Sequence, residues 1–204
     1  MYHIRWPLLF TLVLLLSISL WASGSGSVGE RIEALWGSSM TAGELLSAVA
    51  PDLLAVLPSG IWDARVVWEG EDFRFAWIGD DQESDERKPP SAKGLWDIYL
   101  DWTSKLYVRG KDVQYGSSTT VISPPFLRLP LMAVTSQLLE DGRMIDICGE
   151  TDYNVWRVTE NDSHHVSGAA YYQAMGYHYS EAPPGYWPPS ALLVSHSVMR
   201  WIDE

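Results

Sequence analysis

Cysteine is nearly absent: Cys148 stands alone in 204 residues. That excludes an intrachain disulfide framework and a cysteine-rich zinc site. Basic residues are also scarce, 14 Lys and Arg against 26 Asp and Glu, for a net charge of −12. Nucleic-acid binding needs clustered cations to neutralise phosphates, and these are few and scattered, so no nucleic-acid partner is expected. No cofactor fingerprint occurs, and no cofactor is implied. Aromatics make up 12% of the chain and charged residues only 20%, a balance that excludes bulk disorder. The length suits one domain or at most two small ones, with enough chain to bury a core.

A long apolar run occurs at the N-terminus. Arg5 supplies a positive charge, Trp6–Trp21 is almost wholly apolar, and Ala22-Ser23-Gly24-Ser25-Gly26-Ser27 follows. This is the three-part plan of an export signal, with Ala22 and Gly24 placed for a cut after Gly24. The uninterrupted stretch Leu8–Trp21 would reach about 21 Å as a helix. A bilayer core is about 30 Å thick, so length favours cleavage over an anchor. Either way the remainder is expected outside the cytoplasm, periplasmic or extracellular, and touching membrane only through residues 6–22 if uncut. Without residues 1–24 the chain carries 13 basic and 26 acidic residues. That charge should keep it soluble and away from anionic lipid.

Residues 28–57 read as helical. Thr41-Ala42-Gly43-Glu44 matches a capping box, and Leu45, Leu46, Val49, Leu53, Leu54 and Leu57 recur at helical spacing, with Pro51 expected to break the helix. After Gly60 the period becomes two. Trp62–Trp68 and Phe73–Trp77, joined by Glu69-Gly70-Glu71-Asp72, read as a β-hairpin with one aromatic face; Trp96, Ile98, Leu100 and Trp102 repeat the pattern. The five Trp of these runs are expected in the core. Further strands are expected near 106–109, 113–115, 119–122, 144–148 and 153–158, with a last one over Leu192–Trp201. Pro130 is placed to start a helix through Leu139, Ala169–Met175 suggests a short helix, and Pro183–Pro189 a stiff loop. The expected organisation is therefore a signal peptide or anchor over 1–24, a Ser/Gly tether with short helices over 25–59, and a domain over 60–204. The fold class is α+β: short helices, then a mainly antiparallel sheet with one further helix.

Chemistry is harder to find. Cys148 would need a histidine to hold it as thiolate, and His164, His165, His178 and His196 follow it, with Asp146, Asp152 or Asp162 available to orient one. This describes a cysteine-dependent hydrolase or acyl-transferase. Against it, a strand cysteine behaves as a small core hydrophobe, and the local signatures of cysteine nucleophiles are missing. His164 and His165, if on one strand, point to opposite faces, so no metal site is expected there. Asp81, Glu83 and Asp85 mimic the start of a calcium loop, but Glu86 and Ala92 stand where glycine and a bidentate glutamate belong. Asn161-Asp162-Ser163 is a glycosylation sequon. Aromatics crowd the C-terminal third, and Tyr177, Tyr179, Tyr186 and Trp187 are expected to form a contact surface. The expected function is non-enzymatic: an exported domain binding a protein or glycan partner in the cell envelope, in an accessory role. An acidic inhibitor or immunity-type protein that meets a basic target is the other binding alternative.

Overall fold

A computed structural model describes residues 27–54, 59–78 and 96–203. The export segment, the acidic Asp80–Glu86 run and the Arg87–Pro90 stretch lie outside the described residues. Three short helices lead: α1 (Val28–Leu35), α2 (Ala42–Val49) and α3 (Pro51–Leu54), followed by a 3-10 turn over Ser59–Ile61. Thr41 caps α2 as expected, its hydroxyl accepting from the Glu44 amide while the Glu44 carboxylate accepts from the Thr41 amide. Ser27 and Glu30 make the same reciprocal pair at α1. Pro51 divides α2 from α3, because its ring cannot continue the preceding turn.

The rest is strand: β1 (Arg65–Trp68), β2 (Arg74–Trp77), β3 (Ile98–Arg109), β4 (Asp112–Ser123), β5 (Leu129–Glu140), β6 (Arg143–Val155), β7 (Arg157–His165), β8 (Ala170–Glu181), β9 (Tyr186–Trp187), β10 (Ser190–His196) and β11 (Arg200–Ile202). They form two sheets. One runs β1-β10-β8-β5-β6 with β11 also on β8; the other runs β7-β4-β3-β2-β9. All named pairings are antiparallel except β1 with β10. The sheets stack face to face, and the helices cover the far side of the first. The chain is sheet-rich α+β, in three layers.

This layering explains where the sequence misleads. The first sheet is buried on both sides, so its strands lose the apolar-polar alternation. On β5, Leu131, Ala133 and Leu139 meet the helices, while Met132, Val134 and Leu138 enter the space between the sheets. The expected helix from Pro130 through Leu139 is therefore a strand, and Ala169–Met175 likewise falls mainly within β8. No further helix follows the N-terminal ones among the described residues. The expected last strand divides into β10 and β11.

The expected hairpin of Trp62–Trp68 with Phe73–Trp77 does not form. Its two halves enter different sheets: β1 pairs with β10, and β2 with β3 and β9. The Glu69–Asp72 turn carries the chain across the sandwich. Of the five Trp, only Trp68 is fully buried, with its indole N–H donating to the Ser38 carbonyl at 3.0 Å. Trp77 and Trp102 are half-buried, and Trp62 and Trp96 are exposed. Nor do the helices stand apart from the sheets. Val28, Ile32, Leu45, Leu46 and Val49 share one core with Val66, Trp68, Tyr177, Tyr179 and Leu192. A boundary at residue 59 cuts through that core. Among the described residues no helix is long and apolar enough to cross a membrane.

Candidate functional site

Three regions hold the residues with chemical or binding potential. The first is the side of the sandwich where β6 and β7, the end strands of their sheets, run near each other. Alternation along β7 turns Glu160, Asp162 and His164 inward toward Asp146, Cys148 and Glu150 of β6. His164 Nδ1 lies 3.2 Å from Asp146 Oδ2. His165 points the other way, as expected of its neighbour, and meets Asp112 at 3.0 Å. Asp146 and His164 are thus brought together across the two sheets.

Cys148 does not join them as a nucleophile. It sits opposite Ser136 of β5 and is 8% exposed. Burial pushes its thiol up to about 12, and the Glu160 carboxylate pushes the same way; the Tyr115 phenol opposes them, and Asp162 and Asp146 add smaller upward pushes. A nucleophilic cysteine needs a cationic neighbour to lower its pKa, and here the neighbours are anions. The expected result with a mild thiol reagent at pH 8 is near-complete protection of the folded protein, since only about one thiol in ten thousand is ionised at that separation from its pKa. Urea-unfolded protein should label fully, and rapid labelling of the folded form would overturn this. Among the described residues no group of three or more His, Cys, Asp or Glu side chains is placed to hold a metal ion. Asn161 of the sequon is exposed on β7.

The second region is the aromatic surface, which differs from the expected one. Tyr177 and Tyr179 are core residues, 2% and 1% exposed, because their faces of β8 lie beneath the helices. The Tyr177 hydroxyl donates to Gln137 Oε1 and the Tyr179 hydroxyl to Glu181 Oε1. Neither presents a surface. Tyr186 and Trp187 do lie at the surface, on the two-residue strand β9. Tyr186 packs edge-on against Trp77, ring centres 5.1 Å apart at 69°. Its hydroxyl donates to the Trp96 carbonyl. Gly185 makes the turn into β9 with φ of +85°, and a Cβ there would strike the Trp77 ring. Trp187 is 59% exposed, Trp96 68% and Ile78 55%. The sequence points to the Pro-rich loop; Trp77 comes from the end of β2, Ile78 follows it, and Trp96 precedes β3, and the unexpected sheet order brings these segments alongside β9.

The third region is one the sequence did not disclose. Between the sheets, two apolar clusters are separated by a belt of small polar side chains around His178. His178 Nδ1 is 2.8 Å from Thr119 Oγ1, and Nε2 is 2.8 Å from Ser195 Oγ. Ser195 Oγ continues to Ser104 at 2.7 Å, Ser104 to Ser117 at 2.9 Å, and the Ser136 hydroxyl donates to Ser117 at 2.6 Å. All six residues are buried, and His178 is wholly so. Burial lowers its pKa from 6.5 to about 3, so the ring is neutral. A Ser–His–Thr chain resembles hydrolytic machinery on paper, but a substrate has no route to groups enclosed between two sheets.

Comparison with known proteins adds little. No family model and no curated protein matches the chain. Among solved structures, the solution structure of AT1g01470 from Arabidopsis thaliana is similar at 15% identity and a TM-score of 0.32, over 59% of this chain and 92% of that one. A likeness that slight carries no functional argument.

Proposed function

We propose that this chain is an exported, non-enzymatic domain that docks a protein partner in the cell envelope through the Trp77, Ile78, Trp96, Tyr186 and Trp187 surface. The observation that carries the reading is that three separate segments bring these residues to one edge of the second sheet, where Trp77 packs on Tyr186 and the side chains of Trp96, Ile78 and Trp187 stand exposed, Trp187 on the face opposite to Tyr186. Tryptophan and tyrosine supply much contact area at little entropic loss, which is why they dominate binding energy at protein interfaces. Trp77 and Tyr186 meet edge to face rather than side by side, and Ile78 adjoins them. That suits an apolar protein surface better than the flat face of a sugar ring. The reading is further supported by the protonated, acid-ringed state of Cys148, which gives a cysteine mechanism no thiolate.

The test is crosslinking in the envelope fraction of cells producing the full chain, comparing wild type with Trp187→Ala and Trp96→Ala. Each substitution should weaken the crosslinked complex by about 2 kcal/mol or more, roughly thirtyfold, as for an aromatic anchor. Trp201→Ala, which removes an equally exposed indole from β11, should leave the complex intact. The same crosslinked species at unchanged yield in Trp187→Ala and Trp96→Ala would sink the proposal.

A further inference from the structure

The second sheet turns one face to the interior and the other to solvent. Strand alternation assigns Lys105 and Tyr107 of β3, Gln114 and Gly116 of β4, and Asn161 and Ser163 of β7 to the solvent face. The ladder arranges them as two adjacent rungs, Lys105–Gly116–Asn161 and Tyr107–Gln114–Ser163. Gly116 leaves the middle of this grid without a side chain. A Cβ there would overlap Asn161 Oδ1 and the Glu160 carbonyl, so the glycine lets β4 and β7 approach closely and lets the Asn161 carboxamide lie low over the sheet, at the floor of the grid. The result is an open depression of about 390 Å3 lined by these six residues and by Tyr115 and Asp162 between them. Tyr115 is buried on the inner face, and the Asp162 carboxylate acts on Tyr115 and Cys148 there.

We infer that this depression is a binding site for a neutral saccharide of one to three units. It lies apart from the aromatic edge and does not depend on the role given to that edge. The volume falls in the range of small-molecule sites, about 300–1,000 Å3. Its chemistry is a mixture of donors and acceptors: two carboxamides, a hydroxyl, a phenol and one ammonium, with the Asp162 carboxylate between the rungs as a further acceptor. The side chains of Lys105, Gln114, Asn161 and Ser163 and the Tyr107 hydroxyl make no hydrogen bond to the rest of the described protein, so their capacity is open to a ligand. Tyr107, 57% exposed, adds an aromatic face at the rim. A phosphorylated or sulfated ligand needs more than the one cation of Lys105 to offset its charge. An apolar ligand would bury the carboxamides without partners, at a loss per group. A polyhydroxyl ring with an apolar face satisfies both the carboxamides and the phenol ring.

The experiment uses the full chain as recovered from bacterial cells, labelled with nitrogen-15, so that Asn161 carries no glycan. Trisaccharides of glucose, N-acetylglucosamine, galactose and mannose are titrated separately, and amide shifts are followed. At least one should shift the Gln114, Gly116 and Asn161 amides saturably. Tyr107→Ala and Gln114→Ala, both exposed positions whose thermal unfolding should match wild type, should each weaken that binding tenfold or more. Trp187→Ala should leave it unchanged, which separates this site from the protein-docking edge. Absence of saturable shifts with all four sugars at millimolar concentration would overturn the proposal, as would equal affinity in wild type and both variants.

Discussion

As pH falls from 6.5 toward 3, the wild-type domain should lose on the order of 4–5 kcal/mol of stability that a His178→Gln variant does not lose. The unfolded chain binds a proton at residue 178 below its ordinary pKa of 6.5, whereas the folded protein resists it until about 3. Between those values the unfolded state holds more protons, so unfolding becomes easier by up to about 1.4 kcal/mol for each unit of acidification. Above 6.5 the histidine is neutral in both states and the effect vanishes. The cause is geometric: both ring nitrogens face hydroxyls, Thr119 and Ser195, and no carboxylate hydrogen-bonds the ring to compensate a buried positive charge. Glutamine offers an amide donor group and a carbonyl acceptor, so it can serve both hydroxyls without titrating. Urea unfolding of both proteins at pH 7, 5 and 4 checks the expectation. The carboxylates contribute acid sensitivity to both, and the histidine appears only in their difference. Curves that stay parallel with pH would show that His178 is protonated in the fold as readily as outside it.

Gly176→Ala should destabilise the domain by at least about 3 kcal/mol, a large effect for one methyl group. Gly176 faces the sandwich interior beside the polar belt. A Cβ there would overlap Ser104 Oγ and come within 2.5 Å of Ser117 Oγ and 2.6 Å of His178 Nε2. Crowding in a packed core costs about 1–3 kcal/mol by itself. Here the displaced atoms are also the links of the hydroxyl chain: turning Ser117 aside leaves the Ser136 hydroxyl without its partner, and turning Ser104 aside leaves Ser195 with His178 alone, at about 1–3 kcal/mol for each group left unsatisfied. A companion Gly168→Ala, in open space, should change stability by well under 1 kcal/mol. Equal unfolding midpoints for the two variants would mean that the sheets separate freely enough to admit the methyl.

Local patterning predicts the structure where an element needs only its own residues. The Thr41–Glu44 capping box needs only its own turn, and β3 shows alternation over Ile98–Leu100 because one face meets solvent. It does not do so where the outcome depends on neighbours distant in the chain. β5 reads as helical because Leu131 and Met132 both find apolar surroundings, on opposite faces, once the helices and the second sheet are in place. Tyr177 and Tyr179 look like surface aromatics until the helices cover them. The site was legible only in pieces. Cys148, Asp146 and His164 stand out in the sequence, but the pairing of Asp146 with His164 and the exclusion of Cys148 from it follow from two strands that belong to different sheets. The His178 belt gave no pattern, since its serines and threonine lie on β3, β4, β5 and β10. The available sign was serine or threonine at positions where alternation demanded an apolar residue.

The acidic seam between β6 and β7 has a consequence for how copies of this protein meet. A strand at the end of a sheet is a template on which another chain can build, and here two long ones end side by side with nothing paired beyond them among the described residues. Asp146, Glu150, Glu160 and Asp162 point into the gap rather than away from it. A second molecule adding its own edge would have to bring its matching carboxylates against these and strip water from both sets. The carboxylates that, with burial, hold the Cys148 thiol protonated therefore also oppose edge-to-edge addition of a second copy along the open flank of the sandwich.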